Sequence, residues 1–424
     1  MQRVNVGSRS LADYSSLIGR TMAEEIRSLA EPLRGRRMLH LSATAFGGGV
    51  AEIQYTLIPL LNDVGIEAEW RVIQGRDEFF DVTKTIHNAL QGDSRGLSPE
   101  QRDVFEAYSR MNADELEDAD EWDMIVVHDP QPVAIPGFLQ TRRPHWVWRC
   151  HIDLSTPNRE VLDALAPSLA YYDAAIFHRR EYVPASEHIQ RAIIWPPAID
   201  PLAPKNMALA AEDAAYIVDQ FGIDPERPLL VQVSRFDPWK DPLGVIDAYR
   251  GVKQRYPEVQ LALVGSMAHD DPEGQEFWNL TMDHCGDDPD IHMFSNLNNV
   301  GAVEVNAFQV QADVCIQKSI REGFGLTVSE ALWKARPTVG GAVGGIVAQI
   351  TNGETGYLVS SAEECAERCV QMLDDPAAAR TMARRGKEYV RTHFLTPRLV
   401  RDWLRLMHLL DGQQAELEVV TAAA

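Results

Sequence analysis

The sequence predicts an α/β protein of two domains of similar size, each built around a parallel β-sheet. Short apolar runs alternate with segments of helical periodicity in both halves of the chain, a pattern typical of parallel sheets covered by helices. The stretch PPAIDPLAPKN, near residue 200, holds four prolines and can continue neither a strand nor a helix. It is therefore interpreted as a stiff linker, and 424 residues are ample for one domain on either side of it.

The first half contains five apolar runs that are typical of buried strands, each bounded by turn residues or charges. After the first run, the segment VAEIQYTLIPLLNDVG has apolar residues at helical spacing and closes with Gly65, as a helix commonly does. The five predicted strands are RRMLHLSA, WDMIVVHD, HWVWRC, DAAIFH and AIIW.

The second half repeats this rhythm, with helices PLGVIDAYRGVKQRYP and TVSEALWKA between its strands. The tail TPRLVRDWLRLMHLLDG is amphipathic, and we expect it to return to the first domain. Ligands of open parallel sheets bind beyond the carboxyl ends of the strands, so we expect one site in a cleft between the domains. The predicted strands are PLLVQVS, VQLALVG, DVCIQKS and RPTVGG. The predicted domains are 1–200, with an N-terminal helical extension, 201–393, and a returning helix and tail at 394–424.

Composition and charge restrict the partners. With 40 basic and 62 acidic residues the formal net charge is −22, which argues against nucleic acid or anionic lipid as a general partner. No apolar run approaches the length of a membrane span, and the start lacks the apolar core of a signal peptide, so we expect a cytoplasmic protein. The five scattered cysteines are expected to be reduced thiols, and Cys365 and Cys369 to pack in a core. If the ligand is anionic, the cations that bind it must be few and local.

Glycines mark the first candidate site. In LSATAFGGGVAEI, Gly47, Gly48 and Gly49 stand between a predicted strand and a predicted helix. Such glycines allow close backbone approach, and the free N–H groups of a helix start attract anions. The pattern matches neither the dinucleotide fingerprint nor the Walker loop, so ligand contact and a merely tight turn both remain open.

A local cationic spot follows the strand LLVQVS. Arg235 and Lys240 lie in the turn RFDPWKDP, where a guanidinium fork and an ammonium can jointly hold a diphosphate. The alternative is a solvated turn whose cations pair with Asp237 and Asp241.

Two glutamates flank a glycine-broken turn in REGFGLTVSE. Glu322 precedes the turn and Glu330 lies inside the predicted helix, while Gly323 and Gly325 leave the backbone N–H groups approachable. Because carboxylates accept hydrogen bonds from hydroxyl groups, the two acids could bind two hydroxyl-bearing units on either side of a diphosphate. That description fits a nucleotide sugar.

A histidine and a nearby aspartate stand at the end of each of two strands predicted in the first half. They are His128 with Asp129, and His151 with Asp153. A structural and a functional role are both open, and a metal site through His151 and Asp153 lacks a third spaced ligand. The tryptophans receive no role.

Several segments resemble known glycosyltransferases. REGFGLTVSE resembles the E-x7-E signature of retaining, family 4-type enzymes with the GT-B fold, in which two Rossmann-like domains face a central cleft and a C-terminal helix crosses back. SRFDPWKD resembles the phosphate clamp of the same group. Five longer segments resemble the trehalose glycosyltransferring synthases, which join nucleotide-activated glucose to free glucose: LSATAFGGGVAEI, HDPQP, WRCHIDLSTPN, NNVGAVEVNAFQ and QKSIREGFGLTVSEALWKARP.

The resemblance implies a role for each matching residue. Arg235 and Lys240 hold the donor diphosphate, Glu330 takes the ribose hydroxyls and Glu322 the hydroxyls of the donor glucose. His151 lies at the reaction centre near the 6-hydroxyl of the donor. Backbone contacts to the donor come from Gly48, Gly49, Gly323, Phe324, Gly325 and Leu326. The acceptor pocket is formed by Asp153, His128, Asp129 and Gln131.

The resemblance implies a nucleoside diphosphate glucose as donor substrate and no tightly bound cofactor. It leaves open the base of the donor, the direction of the reaction, a need for Mg2+ and a homodimer. Three rivals remain: a retaining trehalose phosphorylase, which uses inorganic phosphate in place of the nucleotide, a non-catalytic nucleotide-sugar-binding protein, and a nucleotide-sugar epimerase.

Overall fold

The computed structural model describes residues 1–46, 48–140, 143–265 and 272–420. It divides the chain into two compact units. Unit 1 comprises Met1–Ala198 and Thr396–Ala424, and unit 2 comprises Ile199–Leu395. Each unit has its own largely parallel sheet with helices, which confirms the predicted α/β class.

The sheet of unit 1 has eight strands. They are β1 (Gln2–Arg3), β2 (Arg37–Ser42), β3 (Glu67–Val72), β4 (Met124–His128), β5 (His145–Arg149), β6 (Ala174–Phe177), β7 (Ala192–Ile194) and β14 (Val419–Val420). Their order is β1-β3-β2-β4-β5-β6-β7-β14. The inner six strands run parallel, and only the short edge strands β1 and β14 pair antiparallel. All five strands predicted for this half are present.

The helices of unit 1 cover this sheet. They are α1 (Leu11–Ile18), α2 (Arg20–Ala30), α3 (Gly48–Asp63), α4 (Asp77–Leu90), α5 (Pro99–Asp114), α6 (Arg159–Leu169) and α14 (Thr396–Leu410). Helix α14, from the C-terminal segment, packs against α2 and α3. It buries its apolar stripe there, including Trp403 and Leu404.

Unit 2 contains six parallel strands in the order β10-β9-β8-β11-β12-β13. The strands are β8 (Leu229–Val233), β9 (Gln260–Val264), β10 (Ile291–Phe294), β11 (Val314–Gln317), β12 (Thr338–Gly341) and β13 (Tyr357–Val359). The helices are α7 (Ala211–Asp219), α8 (Pro242–Lys253), α9 (Pro272–Cys285), α10 (Ala302–Gln311), α11 (Leu326–Trp333), α12 (Ala362–Asp374) and α13 (Pro376–His393). Helix α11 begins at Leu326, as predicted from the glycine-broken turn.

The strand order of each sheet reverses at one place. In unit 1, the strand that follows β2 in the chain lies on one side of the β2–β4 pair, and the strands that follow β4 lie on the other side. In unit 2, the strands that follow β8 and those that follow β11 lie on opposite sides of the β8–β11 pair in the same way. Loops that leave such neighbouring strands diverge and open a crevice at the carboxyl edge of the sheet. The candidate residues of the sequence follow these four strands: the glycine loop follows β2, His128 ends β4, Arg235 follows β8 and Glu322 follows β11.

The buried core residues of both units are mostly apolar. Cys365 and Cys369 are fully buried on α12 in the core between that helix and α8, which confirms their predicted packing role. Among the residues that the structure describes, no helix is both long enough and apolar enough to span a membrane.

Candidate functional site

The loop after β8 has a tight conformation set by Asp237. Its carboxylate accepts the backbone N–H of Trp239 at 2.8 Å and begins the single turn Pro238–Lys240. Arg235 is 65% exposed, and its guanidinium lies 3.1 Å from the Asp237 carboxylate. The carbonyl of Trp239 accepts the backbone N–H of Ile320 at 2.9 Å, so this loop is fastened directly to the loop after β11.

Lys240 pairs with a glutamate from the loop after β11. Its Nζ lies 2.7 Å from both carboxylate oxygens of Glu322, and both side chains are largely buried. Ser319 Oγ donates to the same carboxylate at 3.2 Å. The Asp241 carboxylate instead contacts Lys318 Nζ, so the alternative pairing of Lys240 with Asp241 is not the one observed. The structure thus brings Lys240 and Glu322 into direct contact.

Hydrogen bonds from the buried side chain of Gln349 hold the glycine turn between the two glutamates. Gly325 has φ +81°, which favours glycine, and a Cβ there would lie 3.1 Å from Glu322 Cγ. The amide of buried Gln349 donates to the Phe324 carbonyl at 2.5 Å and to the Gly325 carbonyl at 3.2 Å. Because Gln349 binds both carbonyls, it fixes the loop next to the start of α11 at Leu326.

Glu330 is buried beside two lysines. Its Oε1 lies 2.8 Å from Nζ of Lys205, a residue of the proline-rich stretch. Lys334, one turn further along the chain, donates to Gln309 Oε1 at 2.8 Å and to Asn206 Oδ1 at 3.0 Å. Burial lowers the pKa of Lys334 to about 8. Lys205 was not predicted from the sequence, although lysine is rare in this chain.

A chain of hydrogen bonds joins the surroundings of the two glutamates. Gln317 Nε2 donates to Ser319 Oγ, the partner of Glu322, and Gln317 Oε1 accepts from Thr327 Oγ1, both at 3.1 Å. Gln309, the partner of Lys334, donates to the Thr327 carbonyl at 3.4 Å. Of the seven lysines of the chain, Lys240, Lys334 and Lys205 contact this network or Glu330, and Lys318 lies beside it, next to Ser319 in the chain. We call these residues the lysine–glutamate cluster: Lys205, Lys240, Lys318, Lys334, Glu322 and Glu330.

In unit 1, histidines from neighbouring strands and from the loops after them contact one another. His128 Nδ1 lies 2.9 Å from His151 Nε2, and His128 Nε2 lies 2.9 Å from His40 Nδ1 on β2. The ring of His178, after β6, meets the ring of His151 edge-on with the centroids 5.5 Å apart. We call these four residues the histidine row. His40 was missed because it lies inside an apolar strand, where nothing in the sequence distinguishes it from a core residue.

The histidine row lies in surroundings that disfavour positive charge. Burial lowers the pKa of His40 to about 3 and the pKa values of His128 and His151 well below their ordinary value. Arg149, a neighbour of His128 in the sheet, is itself buried and adds to this effect. The imidazoles of His40, His128 and His151 are therefore neutral at neutral pH.

Asp129 shapes the backbone beside the histidine row. It has φ +63°, and its Oδ1 accepts the backbone N–H of His151 at 2.7 Å. Removal from water raises the pKa of Asp129 to about 7. Asp153 is buried and accepts the backbone N–H of Ser155 at 2.8 Å, whereas Gln131 is half-buried in the turn after β4.

The glycine loop leads into α3. Gly48 has φ +78° and, with Gly49, begins the helix, whereas Gly47 lies outside the described residues. A Cβ at Gly48 would meet no atom within 4 Å, so it is the positive φ that favours glycine there. In the part of the chain that the structure describes, no three histidine, cysteine, aspartate or glutamate side chains are grouped so as to hold a metal ion.

Comparisons with known proteins agree on one family. The family described as "Trehalose synthase, N-terminal domain" matches residues 40–184, and "Glycosyl transferases group 1" matches residues 215–389. The chain is 59% identical to a trehalose synthase of Rubrobacter xylanophilus over 97% of this chain and 100% of that one. It is 48% identical to a trehalose synthase of Pyrococcus horikoshii over 96% and 98% of the two chains.

More distant proteins resemble the chain in sequence or in fold. A trehalose phosphorylase of Pleurotus pulmonarius is 27% identical over 90% of this chain and 58% of its own length. The solved structure of an α,α-trehalose-phosphate synthase (UDP-forming) from Burkholderia xenovorans, in complex with glucose-6-phosphate, superposes with a TM-score of 0.72. The match covers 88% of this chain and 100% of that chain at 15% identity, which establishes the GT-B fold.

Proposed function

Because this chain belongs to the trehalose synthase family of glycosyltransferases, we propose that it makes trehalose from a nucleoside diphosphate glucose and free glucose, with retention at the anomeric carbon. The observation that carries this proposal is the lysine–glutamate cluster of unit 2. In a chain of net charge −22, it gathers lysines at the strand-order reversal of a parallel sheet, beside two acids that can accept hydroxyl hydrogen bonds.

The donor is held through its diphosphate. Lys240 is largely buried and supplies a point charge, while exposed Arg235 is able to turn from Asp237 towards a phosphate oxygen. The first turn of α11 adds N–H groups at Gly325 and Leu326, where the helix dipole favours negative charge. The backbone of Gly48 and Gly49 in unit 1 is assigned to the same diphosphate.

The two glutamates accept hydrogen bonds from the hydroxyls of the donor. Glu322, kept in place by Lys240 and Ser319, binds hydroxyls of the glucose. Glu330 binds the ribose hydroxyls, which displace the ammonium group of Lys205 from its carboxylate. The backbone of Gly323 and Phe324 lies along the glucose between them.

The acceptor side belongs to unit 1. His151 and Asp153 follow β5, and Asp129 and Gln131 follow β4, so all four leave neighbouring strands of one sheet. His151 is assigned to the reaction centre, and Asp153, Asp129 and Gln131 to the acceptor glucose. Both ring nitrogens of His128 already contact protein groups, so His128 acts on substrate through His151.

The chemistry requires no protein nucleophile. The bond between the anomeric carbon and the diphosphate oxygen breaks, and its electron pair leaves with the nucleoside diphosphate. The anomeric hydroxyl of the second glucose attacks the same face and passes its proton to the departing phosphate oxygen. The products are trehalose and the nucleoside diphosphate, and the enzyme contributes by positioning the acceptor and stabilising the leaving charge.

The test combines the protein with glucose and a panel of nucleoside diphosphate glucoses that differ in the base. We expect release of nucleoside diphosphate that depends on glucose, and a disaccharide whose anomeric signals in NMR are those of α,α-trehalose. The Lys240→Ala variant, purified in the same way, controls for contaminating enzymes. Donor binding without a disaccharide would indicate a nucleotide-sugar-binding protein, and an altered monosaccharide would indicate an epimerase.

A retaining trehalose phosphorylase is the second candidate, because a trehalose phosphorylase is 27% identical over 90% of this chain and Arg235 and Lys240 could hold inorganic phosphate. The buried carboxylate of Glu330 argues against a phosphorylase, because the substrates of a phosphorylase contain no ribose for it to bind. Incubation with trehalose plus either phosphate or a nucleoside diphosphate separates the two. Formation of glucose 1-phosphate from trehalose and phosphate alone would overturn the nucleotide proposal.

A further inference from the structure

We propose that Lys318 is a positioning residue of the donor site: it neutralises the carboxylate of Asp241 and so leaves Lys240 to bind the donor diphosphate. This role rests on the proposed function, in which Lys240 holds that diphosphate. Two ion pairs run between the same two loops of unit 2. Lys240, in the loop after β8, pairs with Glu322 in the loop after β11. Lys318, in the loop after β11, pairs with Asp241, which directly follows Lys240 in the chain.

Asp241 competes for the ammonium group of Lys240 by its position, because the two residues are adjacent in the chain. Its side chain is only 20% exposed, so water screens its charge incompletely. Without a counter-charge, such a carboxylate would attract Lys240 and repel a diphosphate bound beside it. Lys318 prevents both effects, since its Nζ contacts Oδ2 of Asp241.

A helix cap keeps the Asp241 carboxylate in this place. Its Oδ1 accepts the backbone N–H of Gly244 at 3.0 Å and so caps the start of α8. Asp241 has φ +50°, a conformation that aspartate and asparagine adopt more readily than most residues. The carboxylate is therefore held next to Lys240 whether or not Lys318 neutralises it.

Lys318 is placed for this role by the strand before it. It directly follows β11, whose four residues are all buried, and its own side chain is 9% exposed. Because its Nζ is engaged with Asp241, Lys318 acts on the donor through Lys240 and is not itself assigned to the diphosphate.

A purely structural role for Lys318 makes a different prediction. The two ion pairs also fasten the loops to each other, together with the bond from the Ile320 N–H to the Trp239 carbonyl. If fastening were the whole role, loss of Lys318 or of Asp241 would harm the site alike. If neutralisation is the role, loss of Lys318 is harmful only while Asp241 keeps its charge. Variants at these two positions separate the two roles.

The first test is steady-state release of nucleoside diphosphate in the presence of glucose. Lys318→Met removes the ammonium group, whereas Asp241→Asn removes the charge but retains the Oδ1 acceptor of the helix cap. We expect Lys318→Met to lower kcat/KM for the donor by about 10- to 100-fold, part of the loss expected for Lys240→Ala. Asp241→Asn alone should lose far less. Combined with Lys318→Met, it should restore kcat/KM to near that of the Asp241→Asn variant.

Two controls accompany these variants. Lys253→Met removes a lysine that pairs with Asp288 and Asp290 at the other end of α8, about 18 Å along the helix from the cap. It should leave kcat/KM unchanged. Lys318→Arg keeps the positive charge and should lose far less activity than Lys318→Met.

Two kinetic outcomes would overturn the proposal. One is a Lys318→Met variant as active as the parent protein. The other is a double variant as impaired as Lys318→Met, because Lys318 would then bind the donor itself or only fasten the loops. If Lys318→Met does not fold, the double variant decides alone, since the isolated charge at Asp241 is gone. A loss in it as large as that of Lys240→Ala would contradict the neutralising role.

NMR follows Lys240 without any need for activity. Lysine labelled with 15N at Nζ reports on the ammonium groups of the seven lysines, and Lys240→Met identifies the Lys240 signal. Without substrate, we expect this signal to shift in Lys318→Met and to return in the double variant. An unshifted Lys240 signal in Lys318→Met would refute the proposal. If the parent protein makes no trehalose, the proposed function fails, but the NMR result still decides whether Lys318 controls the partner of Lys240.

Discussion

Nζ of Lys205 lies 2.8 Å from Oε1 of Glu330, although the two residues come from the proline-rich stretch and from α11. The lysine side chain is 20% exposed, whereas that of the glutamate is 1% exposed. A carboxylate removed from water needs a counter-charge, and Lys205 supplies it from the solvent side. The pair therefore ties the start of unit 2 to the helix that carries the second acid of the predicted site.

Breaking this pair should destabilise unit 2. We expect Lys205→Met to lower the free energy of unfolding by about 1–3 kcal/mol, less than for a fully buried pair because water reaches the lysine. In the Lys205→Met background, Glu330→Gln should recover much of that loss, because the isolated charge is gone. A double-mutant cycle by chemical denaturation measures the coupling, with Lys84→Met, at an exposed lysine of unit 1, as the control. Additive effects of the two changes would show that the contact contributes nothing.

The cationic residues after β8 should act on turnover. We expect Arg235→Ala and Lys240→Ala each to lower kcat by about 10²- to 10³-fold, the usual result of removing one group that stabilises charge in a transition state. Arg255→Ala, which removes an exposed arginine elsewhere in unit 2, is the matched control. Steady-state rates of glucose-dependent nucleotide release make the comparison. Near-normal turnover in both variants would refute the assignment of the diphosphate to this pair.

The fold was predictable because the central strands of both sheets are continuous apolar runs. Strands β3, β10 and β13 were not predicted, and all three lie at or next to a sheet edge. β3 reads EAEWRV, with charged residues between its apolar ones. β10 has four half-buried residues and β13 only three residues in all. Half-exposed strands need no continuous apolar run, so their sequences resemble those of loops.

The candidate site was predictable only where its residues are close in sequence to a strand end. Arg235, Lys240, Glu322 and His151 all lie within such loops, and glycines or charges mark them. Their partners are distant in sequence and are selected by packing, not by any local pattern: Lys205, Gln54, His40 and Gln349. Of these, Lys205 alone carried a signal that could have been used, because lysine is rare in this chain.

Glu330 should act on donor binding more than on turnover. Glu330→Gln keeps the shape of this buried side chain but weakens its ability to accept hydrogen bonds from ribose hydroxyls. We expect the KM for the nucleoside diphosphate glucose to rise by about tenfold, the equivalent of one charge-assisted hydrogen bond, with a smaller change in kcat. The exposed Glu354→Gln is the control. An unchanged donor KM would argue against a ribose role for Glu330.

Asp129 should make stability depend on pH in the direction opposite to that of most carboxylates. Its pKa rises from 3.8 to about 7 on folding, because it is removed from water. Its contribution to stability is therefore fully present below pH 3.8 and is lost as the pH rises through 7. Asn cannot ionise, retains the Oδ1 acceptor for the His151 N–H and tolerates the positive φ of this position. The free energy of unfolding of the Asp129→Asn variant should thus rise relative to that of the parent protein as the pH rises.

The expected gain is about 2.5 kcal/mol between pH 5 and pH 7.5, because the parent protein loses about 1.4 kcal/mol per pH unit while the pH lies between the unfolded and folded pKa values of Asp129. Chemical denaturation of both proteins at several pH values in this range measures it. The direction of the change decides the test. If the folded protein stabilised Asp129 as an anion, the free energy of unfolding of the variant would fall relative to that of the parent protein over the same pH interval. A difference in unfolding free energy that is constant with pH would show that Asp129 does not change its protonation on folding in this range.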